Sequence, residues 1–393
     1  MKLIANRTGK SLDYFLLQKD AQTDSLVLHD LEMAVAQGRF EEAKKIGHQL
    51  GRTLVAGAVR ARVNLLCADA HLQTATVDAA IPLLTEARSI LEASNDKLLL
   101  AECLNLQAAV EHLLESPSAL ALARQALALA KSVNPTPTRT LVRIYGRIGA
   151  VCVAQHKWRE AVDAYEQAVA AGVGLLDMGR LAKMNNDLSI AYRRLGQLEL
   201  ATGYAHKAVA IHEALNDRLS VARAETNLGL VLLRQGEHTV AASHLDRALA
   251  IFVEAGQPRG RAHILLAQAE LFLGRRDLDR ARDKAEEAAE LANQLGEVAS
   301  VSEAKQILAT VAAAEGHHQA ADALFAEAIN LLENLDLAER LAAVHAAYAR
   351  ILERRGDVAA ALKHWRLAVG ATHPEAAFDS EIVSEEGDAT EIA

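Results

Sequence analysis

Aromatic residues make up only 4% of the 393-residue chain, proline occurs 6 times and cysteine 3 times, and no long apolar run is present. Each shortage excludes something. A membrane helix needs about 20 consecutive apolar residues. The first part of the chain instead mixes Lys2, Arg7, Lys10 and Asp13 among short apolar groups, which is neither a signal peptide nor an anchor. Cys67, Cys103 and Cys152 are odd in number and lack paired spacing, so they spell out neither a disulfide framework nor a zinc site, and a reducing cytoplasm is the expected compartment. A formal charge of -9 offers no overall basic field for nucleic acid. No Ser-His-Asp order, His-Glu-x-x-His or paired-carboxylate loop stands out, so the expectation is a protein that is not an enzyme, with no cofactor and no metal. The GKS within "TGKS" from Thr8 does not make a phosphate loop, because Ile4 stands where the first glycine is required.

What is present is apolar content of 51% with almost no aromatics, hence chiefly Ala, Leu, Val and Ile. With so few helix breakers this composition favours helix over most of the chain. The charge is uneven. Glu375, Asp379, Glu381, Glu385, Glu386, Asp388 and Glu391 fall in 371–393 without a single Lys or Arg, so the preceding body is nearly neutral. Such a segment reads as an acidic, disordered tail whose usual role is solubility.

Self-similarity decides the fold class. "HKWREAVDAYEQAVA" from His156, "GQLELATGYAHKAVA" from Gly196, "GEHTVAASHLDRALA" from Gly236 and "GDVAAALKHWRLAVG" from Gly356 share one pattern. Turn positions are assigned to Gly38, Ala75, Ser116, His156, Gly196, Gly236, Arg276, Gly316 and Gly356, and from Ser116 onward they recur every forty residues. Alanine follows each turn by five residues, at Ala43, Ala80, Ala121, Ala161, Ala201, Ala241, Ala281, Ala321 and Ala361. Seven residues later come Leu50 and then Ala87, Ala128, Ala168, Ala208, Ala248, Ala288, Ala328 and Ala368. Two helical turns separate the members of each pair, so both lie on one face, where a small side chain lets the preceding helix approach closely. "NLG" from Asn227, "RIG" from Arg147 and "DLS" from Asp187 mark matching places before the turn. Pro82 suggests that the second helix of the second repeat starts late, with Asp78 as a cap.

These residues resemble the tetratricopeptide repeat: small residues at "NLG", glycine at the turn, and alanines seven apart with an aromatic between them. HEAT or armadillo arrays share the period but do not predict the paired alanines. The resemblance covers nine repeats from about Asp30 to Gly370 and implies an all-α fold, an α-α superhelix of helix-turn-helix repeats. Forty residues exceed the usual 34 and imply longer helices or connections, as in repeats of bacterial signalling regulators and kinesin light chains. Residues 1–18 do not fit the repeat. Leu3, Ile4, Ala5, Thr8, Gly9, Ser11, Leu12, Asp13, Tyr14, Phe15 and Leu16 are similar to the last helix and exit of a Cro/repressor-type helix-turn-helix domain, whose recognition helix would lie upstream of Met1. Residues 19–29 read as a linker, 30–370 as the array and 371–393 as the tail.

The resemblance implies that ligands lie in a concave groove lined by the first helix of each repeat. Thirteen residues before successive turns stand Arg143, Lys183 and Arg223, followed by His263. Arg194 and Arg234 stand two before their turns, and Asn186 ten before; Asn227 follows the equivalent Thr226. Amides can pair with an extended backbone, and Arg or Lys with a carboxylate. The candidate ligand residues are therefore Arg143, Lys183, Asn186, Arg194, Arg223, Asn227 and Arg234. Solvated surface cations are the plainer reading of each one taken singly. Cys67, Cys152, Tyr192 and Phe272 read as packing residues, and His317 and His318 as exposed turn residues. By resemblance, the expected function is the peptide- or protein-binding region of a cytoplasmic bacterial transcription regulator. An acidic partner is favoured, a homodimer is one open arrangement, and DNA would be reached only through an upstream domain. The alternative is a signalling adaptor or scaffold with no role at DNA.

Overall fold

The computed structural model describes residues 26–52, 57–135, 137–172, 178–333, 335 and 337–372. Residues 1–18 and the acidic stretch from 373 onward, for which a helix-turn-helix exit and a tail are expected, lie outside the described residues. The chain divides into two compact units, Met1–Gly196 and Gln197–Ala393.

Every described regular element is a helix. In the first unit these are α1 (26–36), α2 (Phe40–Arg52), α3 (Ala58–Gln73), α4 (Val77–Ser94), α5 (Lys97–Leu113), α6 (Ala119–Lys131), α7 (Thr138–Ala154), α8 (Trp158–Gly172) and α9 (Met178–Arg194). In the second they are α10 (Leu198–Ala214), α11 (Arg218–Gln235), α12 (His238–Glu254), α13 (Pro258–Gly274), α14 (Leu278–Gln294), α15 (Val298–Ala314), α16 (His318–Glu333), α17 (Ala338–Arg355) and α18 (Val358–Thr372). Helices pair as hairpins, and the first helices of successive hairpins also touch: α3, α5, α7 and α9 in one unit, α11, α13, α15 and α17 in the other.

The turns explain the period. At Gly236 the backbone is left-handed (φ 83°), its N–H reaches the Leu233 carbonyl, and the Glu237 N–H reaches the Leu232 carbonyl at 2.9 Å. These are the two bonds of a Schellman stop. The same bonding recurs at His156, Arg276 and Gly316. Ala75, His156 and Arg276 adopt positive φ without being glycine, which for an L-residue costs roughly 1–2 kcal/mol. At Ala75 local hydroxyls compensate: Thr76 Oγ1 donates to the His71 carbonyl and Thr74 Oγ1 to the Ala70 carbonyl. Arg276→Gly is expected to raise stability by about 1 kcal/mol, read as a higher thermal midpoint; an unchanged or lower midpoint would show that the turn carries no such strain.

The third repeat departs from its expected register. The left-handed residue is Glu115, not Ser116, because a residue before proline is pushed toward extended backbone and Pro117 follows Ser116. The connection lengthens accordingly, and Ala123 and Ala130 take the buried places while Ala121 and Ala128 face solvent. The other alanines of the two sets are buried, as is Leu50. Pro82 also corrects an expectation. Helix α4 starts at Val77, not late, and carries Pro82 inside it; Pro82 and Asp78 are both exposed, so the Asp78 carbonyl that loses its helical donor is left to water.

Small residues let the paired helices close. A Cβ on Gly229 would lie 2.8 Å from Leu245, and one on Gly149 would lie 2.6 Å from the Tyr165 ring. Ser189 and Ala269 occupy the matching buried sites. Cys67, Cys103, Cys152 and Tyr192 are buried as packing residues, Phe272 is partly buried, and His317 and His318 are exposed.

Candidate functional site

Alanines fill the contacts within each hairpin, which leaves one stripe of every first helix open. In the first unit this stripe gathers charge. Arg143 and Arg147 are one turn apart on α7, and Arg180, Lys183 and Asn186 follow at three-residue steps on α9, so each set shares a side of its helix. From α3, on the far side of α5, Asp69 meets both: its Oδ2 lies 3.3 Å from Arg143 Nη2 and 4.0 Å from Arg180 Nη2. Its Oδ1 accepts from Gln73 at 3.3 Å. The contact joins residues 74 positions apart in sequence.

Around this pair several cations gather. Burial first, and then the Arg180 charge beside it, bring the Arg147 guanidinium down to about 10. The Nε atoms of Arg143 and Arg147 and the Asn186 Oδ1 are buried without a hydrogen-bond partner. His112 on α5 is held below the ordinary histidine value by burial and by the nearby charges of Arg147 and Lys183. Asp187 on α9 is pushed up to about 6 by burial, against the opposing hydrogen bond from Tyr165 and the charge of Lys183. The Tyr165 hydroxyl donates to Asp187 Oδ2 at 2.7 Å, and its own pKa is raised well above the usual value, by burial foremost. Such a surface attracts anions: guanidinium forks suit carboxylate or phosphate oxygens.

Arg143, Lys183 and Asn186 thus share one neighbourhood. Arg194 stands apart from them, its guanidinium 5.6 Å from the centre of the Trp158 ring. In the second unit Arg223 and Arg234 are exposed on α11, whereas Asn227 is buried at 5% exposure, beneath the open stripe. Arg147 and Arg180 were not among the expected residues, although each is one helical turn from one that was. Asp69 had no such signal, because its partners lie on other repeats.

Elsewhere in the second unit, Glu225 is completely buried between α11 and α12 and is bonded by His244 and Arg247, the latter also holding Glu213. A cavity of about 470 Å³ beside it is walled by Arg218, Glu254, Arg247 and Glu213, which pair with one another. Among the described residues, no group of three or more His, Cys, Asp or Glu side chains is placed to hold a metal ion, and no helix is long and apolar enough to cross a membrane.

Comparison with known proteins bears on the fold. The profile of the tetratricopeptide repeat matches residues 180–254 and 220–294. No curated protein matches in sequence. Among solved structures, the apo form of the quorum sensor NprR from B. thuringiensis is similar with a TM-score of 0.68 and 13% identity, covering 91% of this chain and 99% of that one. A Rap protein complexed with competence and sporulation factor gives 0.69 at 12% identity, covering 90% and 99%. Aspartyl phosphate phosphatase F from Bacillus subtilis gives 0.60 at 14%, covering 89% and 94%. The chain therefore contains tetratricopeptide repeats, and its all-α fold of paired helices is the one these proteins share.

Proposed function

We propose that this chain is the peptide- or protein-binding region of a non-catalytic regulator, its ligand lying along the open stripe of the first helices. The observation that carries this reading is the gathering of Arg143, Arg147, Arg180 and Lys183 on α7 and α9, where the fold leaves the first helices uncovered. The likeness to a quorum sensor and to a Rap protein complexed with a factor supports it at the level of fold. A role at DNA rests on the likeness of residues 1–18 to a helix-turn-helix exit. The adaptor reading shares the same binding surface and differs only in lacking that role. One similar protein is a phosphatase by name. Burial pushes Cys67 and Cys152 to about 11 and Cys103 to about 12, which makes these thiols poor nucleophiles.

The test is selection of peptides from a displayed random library on the full chain, followed by rebinding to a variant carrying Arg143→Glu, Lys183→Glu and Arg223→Glu. Selected peptides are expected to bind the variant at least ~10-fold more weakly, as loss of charge-assisted bonds and added repulsion require, with the helical circular-dichroism signal retained. Equal binding to both proteins would remove the proposed surface.

A further inference from the structure

Asp69 is the only acidic side chain bonded to Arg143 among the described ion pairs, and it approaches Arg180 with the same oxygen. It stands on α3 and reaches across α5 to α7 and α9. Its carboxylate therefore bridges the open stripe of the first unit, where a ligand would have to pass. The contact is end-on through one oxygen; a guanidinium binds a carboxylate better through two parallel bonds. Beneath it, Arg147 keeps a buried Nε without a hydrogen-bond partner, and Arg143 does the same. Arg143, Arg147, Arg180 and Lys183 meet in this neighbourhood, and the carboxylate of Asp187 is engaged there by the Tyr165 hydroxyl.

We propose that this cluster is a receptor for an oxyanion group and that Asp69 is its internal occupant, displaced when the ligand binds. The proposal rests on the peptide-binding reading and names the chemistry that surface selects: a group with two or more oxygens sharing a negative charge, supplied by an acidic side chain or chain terminus of a peptide, or by a phosphate. In the closed state Asp69 satisfies part of the positive field and ties α3 to α7 and α9. An incoming oxyanion makes the bidentate contact that Asp69 does not, engages Arg147 as well, and frees Asp69 to water at the edge of the stripe. No covalent step is involved. Affinity is then set by competition between two carboxylates for one cation cluster.

This competition predicts an unusual sign. Asp69→Asn removes an acidic residue and a salt bridge, yet it is expected to tighten binding of a fluorescein-labelled glutamate-rich decapeptide about 10-fold, because a competing charge within a few ångströms is gone. Arg147→Gln is expected to weaken the same probe at least ~10-fold, and Asp69→Glu to restore wild-type affinity. Fluorescence anisotropy on the full chain reads all three, with melting curves as the folding control. The glutamine version of the decapeptide and inorganic phosphate, used as competitors, separate the sources: displacement by phosphate alone identifies a phosphate group, displacement by the glutamine version alone a chain-terminal carboxylate, and displacement by neither a side-chain carboxylate. Unchanged or weaker binding by Asp69→Asn at an unchanged melt would overturn the displacement, and unchanged binding by Arg147→Gln would overturn the site. If display selection returns peptides without acidic residues that still depend on α7 and α9, the oxyanion proposal fails while the peptide-binding reading stands. If no peptide binds at all, the reading itself fails.

Discussion

Replacing Tyr165 by alanine is expected to cost about 3–5 kcal/mol, the largest effect of any single change considered for this chain. The residue is 2% exposed and joins three helices. From α8 its ring covers Gly149 on α7, where no Cβ could be tolerated, and its hydroxyl holds Asp187 on α9. Alanine removes the ring and also takes one of two side-chain donors, Asn186 being the other, from a carboxylate whose burial already disfavours the charge. Tyr165→Phe separates the two contributions: the packing stays, and the expected loss is about 1–3 kcal/mol for the lost donor. Denaturant unfolding of the two variants measures this. A loss below about 1 kcal/mol for Tyr165→Ala would mean that the repeat interface relaxes around the missing ring and that the small residue at Gly149 is not there to admit it.

The second large effect is acid sensitivity of the last repeat. His345 on α17 is 5% exposed, its Nδ1 lies 3.0 Å from the Nδ1 of His364 on α18, and the His364 ring is 4.5 Å from that of Tyr348. Burial, with the neighbouring His364 second, lowers the His345 pKa from 6.5 to about 4, and burial lowers His364 as well. The unfolded chain therefore takes up the proton first on acidification. The contribution of neutral His345 is complete above pH 6.5 and is lost as pH falls toward about 4. At the bottom of that window the loss is about 3 kcal/mol. Because repeats couple mainly to their neighbours, it is expected as fraying of α17 and α18, seen as lower amide protection factors, each corrected for the intrinsic exchange rate at its pH, in residues 338–372 at pH 4.5 than at pH 7.5, where His345→Gln shows a much smaller difference. Equal acid sensitivity of the two proteins would assign the effect to other groups.

The parts of this molecule that the sequence reveals are those written locally. Glycine or a tolerant residue at the turn, alanine five and twelve residues on, and a small residue seven before it each act within one hairpin, so their period gives the helix pairs directly. The third repeat shows the limit: a strict forty-residue spacing places the turn at Ser116, while the backbone preference imposed by Pro117 moves it to Glu115 and with it both buried alanines. Pro82 was misplaced for the opposite reason, since proline on an exposed face leaves its freed carbonyl to solvent and does not end the helix. At the site, Arg143 and Lys183 were legible from periodicity, and Arg147 and Arg180 were within its reach. Asp69 was not, because nothing periodic relates a side chain on α3 to partners on α7 and α9. Asn227 carries the opposite lesson, for Thr226 and Asn227 are both buried although their register matches Asn186 and Arg147 in the first unit, so the repeat position alone does not give exposure.

The central claim, that ligand lies on the first helices, is tested most directly by photo-cross-linking a display-selected peptide to the full chain and mapping the adducts by mass spectrometry. The account predicts adducts on residues 138–154 and 178–194, at the faces bearing Arg143, Arg147, Arg180 and Lys183. Adducts concentrated on the second helices, for example on the exposed side of residues 158–172, would contradict it.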